Sequence, residues 1–325
     1  HCGTDLGLIR TKAVPEKEAF RVSGQKIFIT AGEHDLSDNI IHLVLAKLPD
    51  APPGAKGISL FLVPKILVND DGSLGDRNGV NCVSIEEKMG VHGSPTCVLS
   101  FEESLGYLVG EPHKGLEAMF SMMNNERIAV GMQGLGVAEI SYQNALLYAK
   151  DRLQGRDLKG AKKPSEEADP LLVHPDIRRM LLRAKALIDS SRMLSAWTAL
   201  AIDKSVKDPD EKVRKANNDL VELMTPIIKS ILTDYGVEIS SEMLQIFGGH
   251  GYIREYGMEQ FYRDARIAPI WEGTNGIQAM DLAGRKMPQG MGRLLRRFFH
   301  PALAFIEENR GDENLKEFVL PFENM

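Results

Sequence analysis

The sequence predicts an α+β protein: a small antiparallel β domain over residues 1–110, an α-helical bundle over residues 111–288, and a further helical stretch over 289–325. Apolar residues alternate at short spacing up to about Phe101, the period of half-buried strands. From Gly115 onward they recur at three- and four-residue intervals, which is the period of a helix face. Turn-forming clusters cut the first part into short pieces, as in Pro49-Asp50-Ala51-Pro52-Pro53-Gly54 and Asn69-Asp70-Asp71-Gly72.

Each element follows from these signals. Phe20-Val22, Ile27-Ile29, Ile40-His42-Val44 and Ile58-Leu60-Leu62 read as strands, with residues 94–101 as the last full one. Leu116, Met119, Phe120 and Met123, then Ile140, Ala145, Leu146 and Tyr148, mark helix up to Arg152, the methionine-rich face reading as core. Residues 155–169 form a polar loop whose charges read as solvated. Helices follow from Pro175 to Lys204 and from Glu211 to Phe247, the second with Pro226 as a kink point. Shorter ones span Glu259 to Ile267, Asn275 to Lys286 and Met291 to Glu308, and Arg293, Arg296, Arg297 and His300 form a basic face read as solvated or subunit-contacting.

The 325 residues, 43% of them hydrophobic and 26% charged, suffice for two domains with substantial cores. A net charge of −6 disfavours nucleic acid or an anionic membrane as main partner. Cys2, Cys82 and Cys97 make neither a disulfide framework nor a zinc pattern, so a reducing cytoplasm is expected. No metal site is expected. The chain opens on His1 and not on Met, and the expectation is a piece of a longer protein.

The stretch from Phe261 to Lys286 places Glu272 after an apolar run ending Pro269-Ile270-Trp271 and before Gly273-Thr274-Asn275-Gly276, on a loop between two helices. Read locally, Glu272 fits two descriptions. It is a poorly hydrated carboxylate whose charge is disfavoured, as a base near neutral pH requires, or a solvated loop acid, with Asn275 capping the next helix and Gln278 completing the cap. Gly248-Gly249-His250-Gly251 is either a helix end with a tight turn or a place where backbone approaches a ligand closely. Gly131, Gly134 and Gly136 lie in a helical pattern and favour close helix packing. Arg127, on an otherwise apolar helix, needs a partner from protein or from substrate. There is no HExxH, P-loop, GxSxG or CxxC motif.

Taken together these stretches resemble the acyl-CoA dehydrogenase family. His1-Cys2-Gly3-Thr4-Asp5 is similar to the end of its TEPxxGSD signature, and Phe28-Ile29-Thr30 to its WIT strand. Gln245 to Gly251 is similar to QxFGGxGY, and Arg263 to Ile267 with Trp271 to Asn275 resembles RDARI and YEGTN. KMGVHGSPTC, NNERIAVGMQGLG and DRLQGR look closest to the subgroup of 3-methylmercaptopropionyl-CoA dehydrogenases, which carry an extra C-terminal region.

The resemblance implies a flavin-binding middle domain, a bundle with the catalytic acid, and the start of that extension. It implies an FAD-dependent oxidoreductase of fatty-acid metabolism that desaturates an acyl-CoA at Cα–Cβ. Glu272 would be the base. Gly3, Thr4, Phe28 and Thr30 would position the flavin, and Gln245, Gly248, Gly249, Thr274 and Gln278 would bind the rest of FAD. Arg152 and Gln154 would bind it too, some of these residues reaching FAD from a neighbouring subunit of a homodimer or homotetramer, and Arg127 would line the substrate groove. An electron-transfer flavoprotein is the implied acceptor. The N-terminal helical domain of the family has no counterpart in these residues, which implies weak FAD binding and poor turnover for the chain alone; Pro175 stands where many relatives have a flavin-contacting Gln. An acyl-CoA oxidase of the same fold and a non-catalytic scaffold are the competing readings.

Overall fold

A computed structural model describes residues 2–323. His1, the first residue of the signature-like stretch, lies outside the described residues, as do 324 and 325. Two compact units are present, one up to Glu126 and one from Arg127 onward.

The first unit holds β1 (Lys12–Glu16), β2 (Ala19–Thr30), β3 (Ile41–Lys47), β4 (Ile58–Pro64), β5 (Ile66–Val68), β6 (Leu74–Arg77), β7 (Val80–Ile85) and β8 (Thr96–Val109). Six strands form one sheet in the order β2-β1-β3-β4-β8-β7, and a further β2–β8 pairing closes it on itself. Every pairing is antiparallel except a one-residue parallel contact of β1 with β3. The closed side buries Val22, Val44, Phe61, Val63, Leu99 and Phe101, with Phe20 edge-on to Phe61. β8 runs past Phe101, where the sequence suggests an end. It pairs with β2 up to Gly106 and with β4 from Tyr107 to Val109, so both of its partners prolong it. The Asn69–Gly72 turn closes the small β5–β6 hairpin.

Helix α1 spans Gly115–Asp151 without a break. On the face marked by Leu116, Met119, Phe120 and Met123, Met119 is buried and the other three are half-buried, while Met122, off that face, is exposed. The second unit continues with α2 (Pro175–Lys207), α3 (Glu211–Ile246), α4 (Gly249–Tyr252), α5 (Met258–Ala265), α6 (Asn275–Asp281), α7 (Gln289–Asn309) and α8 (Lys316–Glu323). A π turn over Leu282–Lys286 follows α6. Pro175 begins α2, where its missing N–H is tolerated, and Asp210 caps α3 by accepting from the Lys212 N–H at 2.8 Å. α3 runs on through Pro226. Its buried stripe of Met224, Ile228, Leu232, Ile239 and Met243 packs with Leu181, Ala184 and Ile188 of α2 and with Leu135, Ala138 and Ala145 of α1. Among the described residues no helix is long and apolar enough to cross a membrane.

The basic face stays exposed at Arg296, Arg297 and His300, and two of its arginines also serve a buried acid: Arg293 grips Asp219 of α3 through two 3.0 Å bonds, and Arg297 adds a third at 3.4 Å, because a buried carboxylate needs compensating donors. In the loop over 155–169 the charges of Lys159, Lys162, Lys163, Glu166 and Glu167 are exposed as expected, and the chain is gathered around a buried acid. Asp169 is fully buried and accepts from the N–H groups of Asp157, Lys162 and Lys163 and from Arg156. Burial alone would raise its pKa, but those bonds hold it down at about 2.

Gly134 brings α1 against α3. A Cβ there would lie 2.4 Å from the Leu232 carbonyl oxygen, whereas one on Gly136 would meet nothing within 4 Å. Gly134→Ala is therefore expected to destabilise the fold by about 1–3 kcal/mol. Gly136→Ala is expected to stabilise it by about 0.5–1 kcal/mol through helix propensity. Urea midpoints of the two variants check the opposite signs.

Candidate active site

Glu272 sits in the loop between α5 and α6, as its Pro and Gly neighbours suggest. Its backbone takes φ +51°, followed by Gly273 at φ +82°. For a non-glycine residue that conformation costs about 1 kcal/mol or more, and such strain concentrates where a side chain must be aimed. The loop is closed by the Asn275 N–H on the Pro269 carbonyl at 3.1 Å. The buried Gln278 reaches back to the carbonyl oxygens of Gly273 at 3.0 Å and Glu272 at 3.4 Å. Glu272 and Trp271 are half-buried, and the Trp271 Nε1 is buried without a partner.

Asn275 is not the cap that its position suggests. Thr274 holds that place without a side-chain bond, and the Asn275 carboxamide turns instead onto α3. Its Oδ1 accepts from Lys229 Nζ at 2.9 Å, while its Nδ2 donates to Asp234 Oδ1 at 2.8 Å and Thr233 Oγ1 at 3.0 Å. Lys229 is fully buried. Burial depresses its pKa to about 8; the Asp234 and Glu272 charges work against that fall and the Arg127 charge adds to it.

Arg127, also buried, pairs with Asp281 of α6 at 3.7 Å, and Asp281 also binds Arg285 at 2.6 Å. A Cβ added to Gly273 would stand 3.7 Å from an Arg127 guanidinium nitrogen. The arginine thus lies beside the Glu272 turn, and burial lowers its pKa against the pull of Asp281 and Glu272. In this unit the fold brings Arg127, Glu272, Thr274 and Gln278 together. Lys229 and Asp281 join them unannounced by any motif, while Asn275, the last residue of the Trp271–Asn275 stretch, joins them as an anchor to α3 and not as a cap; the one sequence signal for Lys229 was a lysine at a core position of an apolar helical run.

The remaining candidates fall in separate places. Gln245, Gly248 and Gly249 form an exposed end of α3, where Gly248 takes φ +58° and a Cβ on either glycine would meet nothing within 4 Å. Beside them Tyr148 shares a 2.8 Å hydrogen bond with His250, which stacks on Tyr256. Arg152 and Gln154 are exposed, while their backbone pairs with Leu171 and Asp169. His174, before Pro175, bonds the Gln154 carbonyl at 2.6 Å. In the first unit Gly3 and Thr4 lie in an exposed turn, and Phe28 and Thr30 are on β2. Phe28 takes φ +58° at an irregularity in the β2–β8 register and is 68% exposed, an unusual state for a phenylalanine within a strand.

The acyl-CoA dehydrogenase middle-domain family matches residues 1–104, and the acyl-CoA dehydrogenase C-terminal-domain family matches residues 113–287. The 3-methylmercaptopropionyl-CoA dehydrogenase of Ruegeria pomeroyi is 49% identical over 91% of this chain and 50% of its own length. A butyryl-CoA dehydrogenase of Syntrophomonas wolfei is 38% identical over 98% of this chain and 53% of its own. The solved structure of butyryl-CoA dehydrogenase from Megasphaera elsdenii superposes with a TM-score of 0.66 at 29% identity, covering 87% of this chain and 64% of that one. The chain belongs to the acyl-CoA dehydrogenase family. It spans about half the length of the curated relatives it matches.

Asn275→Ala should leave Lys229 and Asp234 without their shared partner and cost about 3 kcal/mol, measurable by urea unfolding. Lys229 also makes stability depend on pH. Between its folded value of about 8 and its ordinary 10.5 the unfolded chain binds more protons, so stability rises with pH across that window. Lys229→Met should flatten that rise when the two unfolding curves are compared from pH 7 to pH 10.

Proposed function

We propose that this chain carries the flavin-binding and base-bearing parts of an acyl-CoA dehydrogenase that forms a Cα=Cβ double bond in an acyl-CoA thioester. The observation that carries the reading is the Glu272 turn: a half-buried carboxylate on left-handed backbone, braced by Gln278 and flanked by Trp271.

The α-proton of a thioester is too weakly acidic for a free carboxylate, so the site must lower the energy of the developing enolate as the proton leaves. In this reading the Glu272 carboxylate takes that proton, and the Glu272 backbone N–H polarises the thioester carbonyl. The indole of Trp271 limits the water that would compete for the base. Arg127 stands beside the Glu272 turn, and Lys229 anchors the residue three positions on to α3 through Asn275.

The residues fit FAD. Phe28 offers an exposed ring on bulged backbone, the glycines at 248 and 249 have open space before them, and Gln278 Oε1 is a buried acceptor without a partner. Bound FAD supplies the hydride acceptor for the β-carbon. Phe28 and Thr30, with Gly3 and Thr4, would hold its flavin end; Thr274, Gln278, Gln245, Gly248 and Gly249 would hold the remainder. Arg152 and Gln154, exposed on one chain, suit a contact made across a homo-oligomer. An electron-transfer flavoprotein is the acceptor that this family resemblance points to, and the acyl group is left open.

Glu272→Gln in the full-length protein tests the reading. Flavin content should be unchanged, while flavin bleaching by acyl-CoA slows by about a thousandfold. Bleaching at the wild-type rate would remove Glu272 as the base.

A further inference from the structure

Lys229 sits on α3, the element against which the Glu272 loop is docked, and nothing in the family-like motifs includes it. Its side chain is fully buried on α3, beside the apolar row of Ile228 and Leu232 and between Thr225 and Thr233 on its own row. A lysine placed so deep is costly, and a methionine of similar shape would fill the same space without that cost. Its described hydrogen bond goes to Asn275 Oδ1 at 2.9 Å, three residues beyond Glu272. Asp234, one turn along α3, takes the other end of the same carboxamide at 2.8 Å.

Among the described residues, at least four elements bring charged groups to the turn. Arg127 comes from α1, Lys229 and Asp234 from α3, Asp281 from α6 and Arg285 from the π turn. Asp281 already answers Arg127 and Arg285, and Asp234 lies on the far side of the Asn275 amide. Arg127 lies beside the turn, 3.7 Å from where a Cβ on Gly273 would stand, and Lys229 reaches it through Asn275, three residues beyond Glu272.

Resting on the base assignment above, we infer that Lys229 is a positioning residue for Glu272. Through the Asn275 carboxamide its ammonium fixes where the loop meets α3, and its charge holds the Glu272 carboxylate ionised in a partly dry site. The cation would thereby set the lower limit of the pH range in which the base works.

Lys229→Met keeps the stem and removes the charge; Lys229→Gln also keeps a donor for Asn275. In full-length, FAD-loaded protein the acid limb of the kcat/KM profile should move up by about one pH unit in both variants. KM should change less than kcat, and the Met variant should lose more kcat than the Gln variant. Without any flavin, amide hydrogen exchange over residues 270–278 should quicken about tenfold in Lys229→Met and less in Lys229→Gln. An unmoved acid limb in both variants overturns the proposal, and so does failure of both to fold, which would make the lysine a folding requirement. Glu272→Gln run in parallel separates the two ideas. If it is inactive while the limb stays put, only the role of Lys229 falls; if it turns over normally, the base assignment falls and takes this role with it.

Discussion

The carboxamide of Asn275 is the joint on which the candidate site depends. One end faces an ammonium and the other a carboxylate, so only one orientation is allowed: the oxygen toward Lys229 and the nitrogen toward Asp234. Flipping it would set donor against cation and acceptor against anion. That orientation pins the first residue of α6 to α3, and the loop ahead of it must close within the few residues from Pro269. The left-handed backbone of Glu272 follows from this geometry, and its strain of about 1 kcal/mol is small beside the anchoring that imposes it.

The same device recurs across the second unit. Asp219 receives two arginines and holds α7 to α3, and Asp169 gathers three backbone N–H groups and orders a long charged loop. In each case a buried acid removes the freedom of a segment that has little apolar surface of its own to bury. The helices provide the core, and these polar joints decide where the segments between and after them lie.

The first unit solves a different problem. Closing the sheet through β2–β8 leaves fewer free strand edges and a compact apolar interior. Phe28 departs from that logic. It stands on bulged, left-handed backbone with its ring largely exposed, a local conflict of the kind expected where a surface serves binding rather than folding.

Much was readable from the sequence because it depends on neighbours along the chain. The change of period near Gly115, the Pro and Gly signals around Glu272 and the glycines of α1 that permit close packing all act over a few residues, and the family likeness rests on such short phrases. The extent of β8, the burial of Lys229, the pairing of Arg127 with Asp281 and the capture of Arg293 by Asp219 were hidden. A basic residue reads the same in sequence whether its partner is water or an acid seventy positions away. The sequence by itself determined that a run of short strands gives way to long helices near Gly115 and which acid would stand on a loop. Only tertiary structure decided which charges are buried together, because the cost of desolvating them and the contacts that offset it exist only once α1, α3 and α6 have met.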